Sequence, residues 1–162
     1  MAVLRILAAV AAFALALPGT AAAQTVPSTG PYSPVDGNQD HMIIMADGTR
    51  VRTGAIGRVT VISLYSDAMI AQNGSIARLD MGYEFRCGGP DYRTTGVSAY
   101  GPSGESIGDL PEASEWTAVT PDSPNVLVQA FACDGTRTTE TPAPTVEAMS
   151  DFYRHWLAGD YE

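Results

Sequence analysis

Between residues 41 and 133 the chain consists of short runs of β-branched and aromatic residues, each bounded by turn-forming residues such as glycine and proline. Runs of this kind are typical of β-strands. The predicted strands are 41–46, 58–65, 76–86, 92–100, 105–110 and 125–133. Six strands at this spacing predict an antiparallel meander or a small sandwich, in which the short fifth strand is expected to lie at an edge.

Two dipeptides between the predicted strands favour tight turns. Asp47-Gly48 follows the first strand, and Asn73-Gly74 precedes the third. Such pairs accept the positive φ angles of a type I′ hairpin, so we expect hairpins at both places. In the last predicted strand, Asn125–Cys133, apolar side chains occupy both sets of alternate positions, which predicts burial on much of both faces.

After residue 133 the apolar residues change to the period of a helix. Thr145 is a predicted N-cap and Gly159 a predicted C-terminal stop. Apolar residues at three- and four-residue spacing between them predict an amphipathic helix whose stripe packs in the core. The fold class is therefore mainly β (α+β), with about six antiparallel strands and one C-terminal amphipathic helix packed on the sheet. The stripe consists of Val146, Met149, Phe152, Tyr153, Trp156 and Leu157.

The N-terminal segment has the features of an export signal. Arg5 carries its single positive charge, and Ile6–Leu17 is an apolar run of 12 residues. Small residues at positions 21 to 23 predict cleavage between Ala23 and Gln24. The apolar run is shorter than the roughly 20 residues that span a bilayer. We therefore expect a periplasmic or secreted protein that does not span the membrane after cleavage and, because no cysteine lies near the site, carries no lipid anchor.

The rest of the chain divides into a linker and one folded domain. Residues 24–39 hold three prolines and two glycines and show no hydrophobic periodicity, which is typical of a linker. The predicted organisation is a signal peptide over 1–23, a flexible linker over 24–40 and a β domain with its C-terminal helix over 41–162.

The charge of the chain excludes several classes of partner. All nine basic residues are arginine, and with 18 acidic residues they leave a formal net charge of −9. Nucleic acids, anionic membranes and heparin-like polyanions bind surfaces of the opposite sign, so we expect none of them as partners.

The two cysteines suggest a structural disulfide. Cys87 and Cys133 lie near the ends of two predicted strands, and an even number of cysteines in an exported chain favours a disulfide bond. Closing a loop of about 46 residues would stabilise the fold by about 4 kcal/mol. The alternative is a redox-active or metal-binding pair, although the chain has no Cys-x-x-Cys spacing.

No motif in the sequence predicts catalysis. The segment Gly101-Pro102-Ser103-Gly104-Glu105 lacks the last glycine of a nucleophile elbow, and no glycine-rich phosphate loop occurs. Glu112, Glu115 and His155 are the acid–base candidates for a cleft between helix and sheet. The simpler expectation is that the two glutamates lie in a solvated loop and that His155 lies on the helix surface. We expect no catalytic residues, no metal and no cofactor.

A pattern of short elements in a set order runs from Val59 to Cys133. An aromatic and acidic segment precedes the first cysteine, a strand ends in Tyr-Gly, a tryptophan precedes a Pro-x-Ser turn, and a last strand ends in the second cysteine. In this order the chain resembles the bacterial surface-adhesin protein E family. The elements read Tyr83-Glu84-Phe85-Arg86-Cys87, Val97-Ser98-Ala99-Tyr100-Gly101, Trp116-Thr117-Ala118-Val119-Thr120-Pro121-Asp122-Ser123 and Val128 to Cys133.

The resemblance implies a fold and a function. It implies a six-stranded antiparallel sheet with a C-terminal helix on its concave side, a bridge between Cys87 and Cys133, a tendency to form homodimers and a place in a Gram-negative envelope. The namesake of the family is an adhesin that binds host extracellular-matrix and serum proteins. We therefore predict a non-enzymatic module that engages an envelope or extracellular protein through an edge strand or an exposed sheet face. The alternative is a small periplasmic hydrolase or ligand carrier, which requires a pocket with at least two convergent titratable groups.

Overall fold

One antiparallel sheet organises the part of the chain described by the computed structural model, which covers residues 30–110, 113–138 and 140–160. Six strands pair in sequence order, and a short seventh strand pairs with the fifth. The strands are β1 (Tyr32–Gly37), β2 (His41–Thr53), β3 (Ile56–Tyr65), β4 (Arg78–Arg86), β5 (Asp91–Tyr100), β6 (Ser106–Leu110) and β7 (Thr117–Ala118). The helices are α1 (Asp67–Gln72), α2 (Pro124–Asp134) and α3 (Val146–Ala158). The predicted antiparallel sheet with a C-terminal helix is confirmed.

The sheet carries a helix on each face. Because successive side chains of a strand point to opposite faces, β3 supplies Ile62 and Leu64 to one core and Val59 and Val61 to the other. We call these the α3 face and the α2 face after the helix that covers each. The α3-face core comprises Tyr32, Met42, Ile44, Ala46, Ile62, Leu64, Val146, Met149 and Tyr153. The α2-face core comprises Met45, Val59, Val61, Phe85, Val119, Val128, Phe131, Ala132 and Cys133.

The C-terminal helix has the predicted caps but buries only half of its apolar stripe. The Thr145 hydroxyl accepts a hydrogen bond from the Ala148 N–H at 3.1 Å, and Gly159 ends the helix with φ 78°. A single helix on a sheet buries only the side chains along its line of contact, so the edges of a wide stripe stay partly in solvent. Val146, Met149 and Tyr153 are buried, whereas Phe152, Trp156 and Leu157 are exposed by 37%, 41% and 37%. The prediction that the whole stripe lies in the core is wrong.

The prediction of a strand at Asn125–Cys133 is wrong, because this segment lies in helix α2. Pro124 opens the helix, and Gly135 closes it with φ 77° in the left-handed region. The buried residues Val128, Phe131 and Ala132 follow helical spacing. A short apolar run fits either period, and the bounding proline and glycine were the signals for a helix.

Two predicted turns and part of the predicted linker also differ from the structure. Asp47-Gly48 lies inside β2, where the register to β3 shifts between Ala46 and Val51, and the chain turns later at Gly54. Asn73 caps α1 instead of forming a hairpin with Gly74. Within the predicted linker 24–40, Tyr32–Gly37 forms β1 because it hydrogen-bonds to β2. Hydrogen bonding to neighbouring segments overrides the local turn and linker signals at these places.

The two outer edges of the sheet differ in how they are covered. Along β1, the backbone of Tyr32 exchanges hydrogen bonds with Ala143 at 2.8 and 2.9 Å, and the Thr138 hydroxyl donates to the Pro34 carbonyl at 3.0 Å. The segment before α3 therefore closes this edge. At the other edge, every residue of β6 is exposed, as predicted for an edge strand.

Candidate functional site

The two cysteines form a disulfide that joins the sheet to a helix. Cys87 follows β4 and Cys133 lies in the last turn of α2, with 5.4 Å between their Cα atoms. The pairing is the one that the family resemblance implies. Gly57 lies beside this link, and a Cβ there would approach the Ala132 carbonyl oxygen to 2.7 Å, so only glycine allows strand and helix to come this close.

Two arginines of β2 also bind the C-terminal end of α2. The Arg50 guanidinium donates to the carbonyls of Phe131 and Cys133 at 2.7 and 3.2 Å, and Arg52 donates to the Cys133 carbonyl at 2.6 Å. Carbonyls in the last turn of a helix carry partial negative charge, and even the Phe131 carbonyl, which accepts the cap hydrogen bond from the Gly135 N–H at 2.8 Å, has room for a second, charged donor. Arg50 and Arg52 therefore position the helix and its disulfide.

Removal of one of these contacts has a measurable cost. Arg50→Met is expected to lower the free energy of unfolding by about 2 kcal/mol, because two carbonyls lose a charged donor while the apolar stem is kept. Urea unfolding followed by circular dichroism measures the change. Arg154→Met is the control, since Arg154 is exposed and pairs with the exposed Asp151, so that its loss should cost less than about 0.5 kcal/mol. Equal losses in both variants would contradict a helix-capping role for Arg50.

The predicted acid–base candidates are not brought together. Glu112 lies outside the described residues. Glu115 is exposed just before β7, which pairs with β5, whereas His155 lies on α3, which packs against β1, β2 and β3. The His155 Nδ1 atom is 2.8 Å from Asp160 Oδ2, and both side chains are more than half exposed.

A cleft of about 550 Å³ does lie between α1 and α3. Its walls include Leu64, Ile70, Tyr153 and Leu157, whereas neither Glu115 nor His155 lines it. The Tyr153 hydroxyl donates to the Asn38 carbonyl at 2.8 Å, and burial raises the pKa of Tyr153 to about 12. This tyrosine is therefore a structural hydrogen-bond donor rather than an acid or a base at neutral pH.

The part of the α3 face that α3 leaves uncovered carries a network of ion pairs. The carboxylate of Glu84 is bound by Arg58 at 2.6 Å and by Arg93 at 2.7 Å. Burial by itself raises the pKa of Glu84, but the hydrogen bonds and charges of the two arginines outweigh it and lower the pKa. Trp116 stacks against two of the guanidinium groups, with Arg86 at 4.3 Å and Arg93 at 4.8 Å from its ring centroid. The charges of Glu84 and the arginines are therefore paired within this network, and the stacking holds the Trp116 loop against the sheet.

A second pair on the same face behaves differently. Arg78 donates to Asp80 at 3.0 Å and stacks at 4.1 Å on the Tyr100 ring. The Nε atom of Arg78 also lies 2.9 Å from Asp80 Oδ1 without completing a hydrogen bond to it. Burial raises the pKa of Asp80 to about 6, although the charge of Arg78 acts to lower it. One arginine is too few to offset the desolvation of this carboxylate.

In the described structure, β6 forms an exposed edge of the sheet. Ile107 is exposed by 48% and Leu110 by 70%, and neighbouring β5 has no fully buried residue. On the α2 face, cross-strand register places Met81, Val97 and Leu110 in one row, which ends at this edge. An edge strand directs alternate N–H and C=O groups outward, where another strand can pair with them. Strand β6 therefore has both unpaired main-chain hydrogen-bonding groups along its outer side and an apolar row that ends at it.

The sequence pointed to part of this site. The shortness of the 105–110 run indicated an edge strand, and that prediction is confirmed. No local signal showed that the opposite edge is closed, because the segment that closes it is more than 100 residues away in the chain.

Within the described ranges, no helix is long and apolar enough to cross a membrane, and no cluster of three or more His, Cys, Asp or Glu side chains is arranged to hold a metal ion. Comparison with protein families gave a match to the family model of surface-adhesin protein E over residues 32–134, which is more than half of the chain. Comparisons with curated proteins and with solved structures gave no match.

Proposed function

The chain belongs to the surface-adhesin protein E family, and on that premise we propose that it is an exported, non-enzymatic envelope protein that binds another protein through its open sheet edge. The single observation that carries the proposal is the contrast between the two edges. β1 is closed by the segment before α3, whereas all of β6 is exposed. Strand addition at such an edge takes its affinity from main-chain hydrogen bonds and its specificity from alternate side chains.

Export is part of the same proposal. The first 23 residues carry the features of a signal peptide, with cleavage between Ala23 and Gln24. The released chain would lie in the periplasm or outside the cell, where a disulfide between Cys87 and Cys133 can persist. An oxidising compartment and a partner outside the cytoplasm therefore suit the same protein.

The test measures binding of the purified, oxidised chain to immobilised extracellular-matrix and serum proteins by biolayer interferometry. The variant Ile107→Asn/Leu110→Asn keeps the net charge and removes the apolar side chains of β6. It is expected to bind at least about tenfold more weakly, because an added strand loses its apolar contacts at the edge.

The matched control is Val51→Asn/Val126→Asn, which removes two similarly exposed apolar side chains from β2 and α2. It should bind like the wild type. Sedimentation of all three proteins shows whether a homodimer occupies the edge. Absence of binding, or equal weakening in both variants, would overturn β6 as the binding edge.

A further inference from the structure

The open edge is negatively charged along its length. Glu105 lies just before β6, Asp109 lies within it, and Glu115 lies just before β7. Within the described residues, none of the three has an ion-pair partner. The Ser103 hydroxyl and N–H donate to the Glu105 carboxylate at 2.7 and 3.0 Å and lower its pKa further below neutral pH, where a glutamate is already ionised.

The cations of the chain are engaged elsewhere. The sequence contains no lysine. In the described ranges, Arg50 is bound to the carbonyls at the end of α2, and the other arginines pair with carboxylates outside β6, including Arg78, which lies over Tyr100 beside β6 but is paired with Asp80. The remaining pairs are Arg52–Asp134, Arg58–Glu84, Arg78–Asp80, Arg86–Asp91, Arg93–Glu84, Arg137–Asp47 and Arg154–Asp151. The charge along the edge is therefore left for a partner to neutralise.

Charge and apolar contact point to opposite faces of β6. Asp109 lies opposite Ser98, which shares the α3 face with Asp80. Leu110 lies opposite Val97, in the apolar row of the α2 face. A strand added to β6 would thus place one residue beside the Asp109 carboxylate on the α3 face, and the residue next to it would extend the row that ends at Leu110 on the α2 face.

We infer, on the basis of the proposed function, that the partner segment is an extended strand in which basic and apolar residues alternate. Its basic side chains lie on the α3 face near Asp109, and its apolar side chains extend the row that ends at Leu110. A second copy of this chain fits less well, since its own β6 supplies another Asp109 and no cation.

The test uses labelled nine-residue peptides and fluorescence anisotropy. One peptide alternates valine with arginine, a second alternates valine with glutamate, and a third has the composition of the first in an order without alternation. The first is expected to bind at least about tenfold more tightly than either of the others, with an affinity that falls as salt is added. The third peptide controls for attraction between any basic peptide and an acidic protein.

Variants locate the effect on the edge. Asp109→Asn/Glu115→Gln is expected to weaken binding of the valine–arginine peptide about fivefold. The control Asp36→Asn/Asp40→Asn removes two exposed carboxylates, one in β1 and one just after it, and should leave peptide binding unchanged. Thermal unfolding of both variants checks that the fold is intact.

The outcomes separate this inference from the proposed function. If the peptides bind equally, or if both double variants weaken binding alike, the charge inference is overturned, while an effect of Ile107→Asn/Leu110→Asn would leave the edge as the binding site. Self-association that this edge variant abolishes, without peptide binding, would overturn the inference in favour of a second copy. No effect of the edge variant on any ligand would overturn both.

Discussion

Replacing Cys87 and Cys133 together by alanine is expected to lower the free energy of unfolding by about 4 kcal/mol. The bond closes a loop of 46 residues that includes β5, β6, β7 and most of α2. Without it the unfolded chain gains conformational freedom, and the end of α2 keeps only its contacts with the sheet, Arg50 and Arg52. Urea unfolding of both proteins under non-reducing conditions measures the loss.

Reductant supplies the control for this prediction. Reduced wild type should unfold at nearly the urea concentration of the double variant, and the variant itself should not respond to reductant. The intact mass with and without reduction and alkylation verifies that wild type is oxidised and also shows whether the purified chain starts at Gln24, as the proposed signal cleavage predicts. Coincident unfolding curves for the oxidised wild type and the variant would show that the bond adds no stability.

Between about pH 4 and pH 7, burial of Asp80 is expected to remove up to about 3 kcal/mol from the stability of the wild type. Its pKa is raised from the ordinary value of 3.8 to about 6, because burial disfavours the charged carboxylate more than Arg78 favours it. The folded state therefore holds the Asp80 proton more tightly than the unfolded state does. This contribution to stability is complete below pH 3.8 and is lost as the pH rises through about 6.

Asp80→Asn tests this prediction because the amide cannot ionise. The free energy of unfolding is measured in urea at intervals from pH 4 to pH 8. The variant should lack the decrease that Asp80 causes in the wild type, so the wild type should lose stability relative to the variant as the pH rises. Glu84 is present in both and contributes with the opposite sign, since its lowered pKa makes stability fall at acid pH. Asp134→Asn, at an exposed ion pair, should follow the wild type. Parallel stability profiles for wild type and Asp80→Asn would contradict the raised pKa.

Local patterns predicted the elements whose signals lie within a few neighbouring residues. The dense run of β-branched residues at 58–65 lies in the central strand β3. Such side chains fit a pleated sheet and, being mostly apolar, are also stable when both faces of the strand are buried. Thr145 and Gly159 marked the ends of α3, since caps satisfy backbone groups within one turn. The segment 105–110 was identified as an edge strand by its shortness. Export features, the acidic charge and the family pattern were likewise present in the sequence.

The pKa shifts, strand β1 and the open edge at β6 could not be predicted from local patterns, because each depends on residues that meet in the folded chain. Asp80 and Glu84 lie on one strand and one face, yet their pKa values move in opposite directions, because Asp80 is more deeply buried and has one arginine whereas the less buried Glu84 has two. Tyr32–Gly37 is a strand because β2 pairs with it, and β6 remains open because the segment that closes an edge lies beside β1. The fold class, the caps and the short edge strand could thus be predicted from local patterns, because they depend on adjacent residues. Burial, charge balance and the choice of the open edge depend on partners that lie from a few to more than 100 residues away, and only the folded chain brings them together.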